Sequence, residues 1–198
     1  MLALVPMRKT KVNNYLAPLA DKPFQAYLGK GLHLLGILNW IASQTGPFDR
    51  LFVSTYSTSD EFLSGLINLK REGYIKAAVL VADVKAAKKT VILEDIMKQC
   101  FDDVILAENH SKVMLLICGE QLISVVTSQN QTYGGRSEST IVTTMPEIFW
   151  QLYDGYLKIV KEGVSMYGIH GKTTGTDNSA IGTINATFRD FRPFGAQE

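Results

Sequence analysis

The stretch Arg50 to Val84, RLFVSTYSTSDEFLSGLINLKREGYIKAAVLVADV, decides the fold class. Arg50 to Tyr56 is a β-rich run, and Ser57-Thr58-Ser59-Asp60-Glu61 then supplies capping hydroxyls and acidic side chains suited to a helix amino end. Phe62, Leu63, Leu66 and Leu69 recur at helical spacing, which predicts a helix from about Asp60 to Arg71, closed by Gly73. Lys76 to Val84 reads as a second buried strand. Strand, helix, strand at this spacing implies a right-handed crossover between two parallel strands. The fold class is therefore α/β, a mixed β-sheet flanked by helices on both faces.

The flanking sequence extends the pattern. Gly31 to Gln44 predicts a helix ended by Gly46 and Pro47, Thr90 to Cys100 a second helix, and Asp103 to Ala107 a short strand. Ser139 to Thr144 reads as a strand, and Pro146 to Lys161 as a long amphipathic helix ended by Gly163. Residues 1–162 then form one domain, and the Gly/Thr-rich segment 163–198 an extension packed on that domain or on a partner subunit.

Composition sets outer limits. With 198 residues and 46% hydrophobic content, the chain is long enough to bury a substantial core. A net charge of +1 does not by itself announce a nucleic-acid binder. Arg8, Lys9 and Lys11 cluster near the amino end and Lys85, Lys88 and Lys89 in one predicted loop, and each cluster alone reads first as a solvated surface. Cys100 and Cys118 are too few for a disulfide framework or a metal site, so a reducing compartment is expected, with Cys118 a small core residue. No segment reaches the roughly 18 uninterrupted apolar residues of a membrane helix. Met1 to Met7 lacks the charged start and long apolar core of a signal peptide. A soluble cytoplasmic protein without membrane association is expected.

The chemistry concentrates between His110 and Glu138. Val113 to Cys118 and Leu122 to Val126 read as two strands flanking the turn Gly119-Glu120-Gln121. Side chains two apart on a strand share a face, so His110 and Lys112 point the same way. A mirror point at Glu120 sets His110 opposite Asn130 and Lys112 opposite Ser128, with facing side chains roughly 5 Å apart. A shift of one residue puts Ser128 and Asn130 on the other face.

The residues His110-Ser111-Lys112, Thr127-Ser128-Gln129-Asn130 and Glu138 together resemble the phospholipase D-like phosphodiesterases, whose signature is H-x-K, then a strand, a G/S-x-N element and a later acid. The resemblance is closest to nuclease-like members with one motif per chain, and it implies a homodimer with a shared site. By that resemblance His110 attacks phosphorus to give a phosphohistidine. Lys112 and Asn130 bind the non-bridging oxygens, Glu138 orients an imidazole, and Ser128 helps bind substrate. The His110 of a partner subunit protonates the leaving oxygen and then activates water, which is acid–base work suited to an imidazole. No metal or other cofactor enters this scheme. Two positions depart from the family: Ile117 stands where an aspartate is usual, and Thr127 where a glycine is.

The loop Gln131 to Arg136 adjoins this site. Gly134 and Gly135 permit close approach to a ligand, and Tyr133 is a candidate substrate contact. Arg136 either binds a second phosphate or pairs with Glu138 or another acid at the surface.

His170-Gly171-Lys172-Thr173-Thr174-Gly175-Thr176-Asp177 also fits H-x-K-x4-D, with Gly182-Thr183-Ile184-Asn185 after it. The four residues after Lys172 read as loop rather than buried strand, which favours coincidence. The alternative is a degenerate second half-site. Gly171-Lys172-Thr173 is no phosphate loop, because the required earlier glycine is Met166. His33 in its apolar helix receives no role. Trp40, Phe149, Trp150 and Tyr153 read as core or interface rather than base-stacking platforms.

Two functions follow. One is a metal-independent phosphodiesterase, a nuclease acting on DNA or RNA. The other is a catalytically impaired module of the same kind that binds nucleic acid or a protein partner.

Overall fold

In the computed structural model, which describes residues 11–131 and 135–167, Arg50–Thr55 forms strand β2, Asp60–Arg71 helix α2 and Ala78–Asp83 strand β3. They follow strand β1 (Phe24–Gly29) and helix α1 (Leu34–Thr45). They precede α3 (Ala87–Ile92), α4 (Glu94–Cys100), β4 (Asp103–Ala107), β5 (Val113–Cys118), β6 (Gln121–Thr127), β7 (Glu138–Thr143), α5 (Pro146–Glu162) and β8 (Val164–Ser165). Among the described residues the strands form one eight-stranded sheet in the order β1-β7-β6-β5-β2-β3-β4-β8. β2 pairs parallel with β3, and β3 with β4, while the other pairings are antiparallel.

Helices cover both faces. On one side α1, α2 and α4 bury Leu38, Ile41, Leu63, Leu66 and Met97 against Leu80 and Val53 of the sheet. On the other, α5 lays Phe149, Tyr153 and Tyr156 over Phe52, Leu115 and Ile117. The local signals explain the helix ends. Ser59 caps α2 by accepting from the Phe62 N–H at 3.3 Å, Asp60 and Glu61 occupy its first turn, and Lys70 and Arg71 its last. α1 stops at Gly46, whose φ of 75° suits glycine.

Four expectations need correction. The predicted helix Thr90 to Cys100 is two helices, broken at Leu93, whose side chain is buried and after which Glu94 and Asp95 start a new first turn. Lys85 and Lys88 lie in short helical turns after β3 rather than in a loop. β1 was absent from the expected elements, as was β8, which pairs with β4.

The fourth correction concerns the hairpin. The turn between β5 and β6 has two residues, Gly119 and Glu120, and Cys118 pairs with Gln121. Gly119 has φ 59°, which lets the chain reverse that tightly. Asp49 holds the turn by accepting the Gly119 N–H at 2.8 Å. Lys112 therefore opposes Thr127, whose N–H it accepts at 3.0 Å, and not Ser128. The expected pairing of His110 with Asn130 is off by one residue.

Candidate active site

The carboxyl ends of β2, β3 and β4 and the amino ends of β5 and β7 meet at one edge of the sheet, where α/β folds place ligands. His110 lies here, exposed, in the short connection from β4 to β5. Its backbone is held from below by a buried polar knot. The Asn109 side chain accepts from the Ser111 N–H at 3.1 Å, the Ser111 hydroxyl at 2.6 Å and the Ser54 hydroxyl at 3.2 Å. It donates to the carbonyls of Thr55 and Val81 at 3.2 and 3.3 Å. Asp83, at the end of β3, accepts the N–H of Asn109 at 2.9 Å and of Lys85 at 2.7 Å. The Ser54 and Ser111 hydroxyls also hydrogen-bond each other.

Above this knot the Lys112 ammonium donates to the His110 carbonyl at 2.7 Å and lies 3.4 Å from Nδ1 of the His110 ring. An ammonium has donors only, so Nδ1 accepts in this arrangement. Desolvation lowers the Lys112 pKa from its ordinary value, while the charges of Glu138 and Asp83 act in the opposite sense. The ring of Tyr56 sits 5.5 Å from that of His110, centre to centre. Glu138 accepts a hydrogen bond from the Ser128 hydroxyl, which in turn accepts the Ser139 N–H at 3.0 Å. Thr127, in the position of the family's glycine, bonds the Ser139 carbonyl at 2.9 Å and the Gln129 N–H at 3.1 Å.

The expected residues thus divide. His110 and Lys112 touch, and Glu138 joins Ser128 beside them. Asn130 is half-buried, its Oδ1 without a hydrogen-bond partner, and it lines a separate cavity between α1 and α2; no hydrogen bond joins it to His110 or Lys112. Arg136 is exposed in the loop before β7. Tyr133, Gly134 and the whole second motif from His170 lie outside the described residues. Ile117 is 2% exposed and faces α5, so the departure at this position lies in the apolar core rather than among the polar groups. Among the described residues no group of three or more His, Cys, Asp or Glu side chains is arranged to hold a metal ion.

Sequence reasoning missed Tyr56, Ser54, Asp83 and Asn109. They come from separate strand ends and loops, and only the polar runs at the ends of apolar strands hinted at them. His33, which received no role, occupies the N-cap position of α1 and lines the same cavity as Asn130. Trp40, Phe149 and Tyr153 are buried core residues, and Cys100 and Cys118 are buried free thiols. No helix of the described residues is long and apolar enough to cross a membrane.

The eight-stranded mixed sheet with helices on both faces matches the fold of solved phospholipase D-like structures. Among solved structures the chain is similar to the phospholipase D family member Nuc from Salmonella typhimurium, with a TM-score of 0.55 and 16% identity over 72% of this chain and 97% of that one. NucT from Helicobacter pylori gives a TM-score of 0.53 and 14% identity over 71% of this chain and 98% of that one. The polyphosphate kinase from Porphyromonas gingivalis gives 0.54 and 16% over 79% of this chain, but only 30% of that much longer one. No protein-family model and no curated protein matches the sequence.

Proposed function

We propose that the chain is a metal-independent phosphodiesterase, a nuclease that works through a phosphohistidine at a site shared by two copies. The observation that carries the reading is the exposed His110 with the Lys112 ammonium on its ring nitrogen, at the ligand-binding edge of a phospholipase D-like fold. His110 forms a bond to phosphorus as the bond to the leaving oxygen breaks, and Lys112 balances the charge on the non-bridging oxygens. His110 of a partner subunit gives the leaving oxygen its proton. It then takes a proton from the water that displaces the first histidine. Exposed Lys85 and Lys88 after β3 and exposed Arg136 before β7 flank this edge, a distribution that suits a polyanionic strand.

The second reading is a module of the same fold with impaired chemistry. It is favoured by Asn130, which lies in the α1–α2 cavity rather than beside Lys112. One experiment separates the two: incubation of the purified chain with plasmid and single-stranded DNA and RNA in the presence of EDTA. Cleavage that disappears in His110→Ala supports the first reading. Cleavage that requires added metal, or that survives the substitution, refutes the phosphohistidine. Light scattering tests the shared site, since a strict monomer at micromolar concentration would leave the leaving oxygen without its acid.

A further inference from the structure

An imidazole that attacks phosphorus has to be held, because a free histidine side chain spreads over several rotamers while the reacting atoms need one approach. His110 is exposed, so packing alone does not hold it. Its ring is met by the Lys112 ammonium, 3.4 Å from Nδ1, and by the ring of Tyr56, 5.5 Å away between centres and tilted by 58°. We infer that Tyr56 positions the His110 imidazole for attack on phosphorus. The inference rests on the phosphodiesterase reading of the site.

The backbones under the two rings are tied together. Tyr56 directly follows β2, and the Asn109 side chain donates at 3.2 Å to the Thr55 carbonyl, the peptide oxygen that leads into Tyr56. The same side chain accepts the Ser111 N–H at 3.1 Å, immediately after His110. One buried amide thus clamps the two segments that carry the rings. Tyr56 is half-buried, so its ring stands as a wall at the site edge rather than as part of the core. Aromatic rings with centres roughly 4.5–7 Å apart attract each other beyond the area they bury.

Lys112 cannot hold the ring through the reaction. While its ammonium donates to Nδ1, a neutral imidazole carries its proton on Nε2, and a protonated nitrogen has no lone pair to offer phosphorus. A phosphate that draws the ammonium to its non-bridging oxygens releases Nδ1, which takes a proton from water as Nε2 gives one to water. The ring stays neutral, and Nε2 gains the lone pair that forms the bond to phosphorus. Lys112 has then let go of the ring. Tyr56 has not, since a phosphate competes for a cation but not for an aromatic face.

The test combines cleavage of a labelled oligonucleotide in EDTA with proton NMR of the histidine rings, on the full chain and on Tyr56→Phe and Tyr56→Leu. The His110 resonances are identified by their loss in His110→Ala. In the parent chain the ring protons of Tyr56 and His110 should show a nuclear Overhauser contact. Tyr56→Phe should keep kcat within about twofold, whereas Tyr56→Leu should lower it roughly tenfold with KM changed by less than about twofold. The His110 ring protons should shift in the leucine variant and stay near their parent positions in the phenylalanine variant. No ring contact in the parent, an unchanged kcat in Tyr56→Leu, an equal loss in Tyr56→Phe, or a loss confined to KM would each overturn the inference. The Overhauser contact is read on the parent alone, so a leucine variant that fails to fold does not shelter it. Cleavage that persists in Tyr56→Leu removes only the positioning role. Absence of cleavage by the parent chain removes the phosphodiesterase reading and this role with it.

Discussion

Replacing Asn109 by alanine should cost about 3–4 kcal/mol of stability and loosen the segment that presents His110. Asn109 is 4% exposed and its side chain takes part in five hydrogen bonds, three accepted from Ser54 and Ser111 and two donated to the carbonyls of Thr55 and Val81. A neutral hydrogen bond contributes about 1 kcal/mol net, and less at the long end of the distance range, where three of these lie. Truncation leaves two buried carbonyls without the amide, whereas Ser54 and Ser111 retain each other. Ser111→Ala should cost about 1–2 kcal/mol. Because both changes remove the same contacts, the double variant should lose about 1 kcal/mol less than their sum. Asn109→Asp should be no better than alanine, since an oxygen would then face two carbonyls. Urea unfolding with comparison of m-values measures all of these. A loss below about 1 kcal/mol for Asn109→Ala, or strict additivity with Ser111→Ala, would show that the knot does not hold the segment.

Asp49 offers a pH-dependent check on the hairpin. The Lys76 ammonium at 2.7 Å and the Gly119 N–H hold its carboxyl below the usual value, so its contribution is complete above the unfolded-chain pKa and is lost as pH falls through the folded one. Asp49→Asn should therefore cost about 1 kcal/mol at pH 7, with the gap from the parent chain closing below about pH 4 in chemical denaturation; a gap independent of pH would refute this. Installing the family's acid, Ile117→Asp, would put a carboxyl among Phe52, Leu115 and Phe149 and should destabilise by about 4 kcal/mol, as the charged form cannot be solvated there. An unchanged melting temperature would mean that the α5 layer admits water. Burial pushes the Cys100 thiol up to about 12 and the Cys118 thiol up to about 11, so at pH 8 both should react with a thiol reagent only as fast as the chain opens. Fast stoichiometric labelling of the native protein would contradict that.

What was legible in the sequence follows from where burial is one-sided. α2 and β4 have the expected bounds because their apolar spacing and flanking caps agree with one another. β1 escaped because its pattern is inverted. Its inward residue is Gln25, which exchanges hydrogen bonds with Ala17 at 2.7 and 2.8 Å, while Phe24 and Leu28 are 50% and 78% exposed. The hairpin could be read as a hairpin but not in register. Gly119-Glu120-Gln121 is compatible with a turn of two or three residues, and the choice is made by Asp49, which precedes the turn by 70 residues. The His110–Lys112 contact is local, between residues two apart in the connection before β5, so it was readable although neither residue lies in a strand. The knot beneath it joins Ser54, Asp83 and Asn109 across three strand ends, which no local pattern encodes.

The one-residue slip has a chemical consequence. With Thr127 opposite Lys112, the motif splits: His110 and Lys112 lie together, while Asn130 lines the cavity between α1 and α2. Under the proposed function, Lys112 of one chain would meet the phosphate charge without the asparagine that the sequence pattern puts beside it. That reading then requires phosphate affinity from the flanking Lys85 and Lys88, or from a second copy bringing its own Lys112 to the same phosphate.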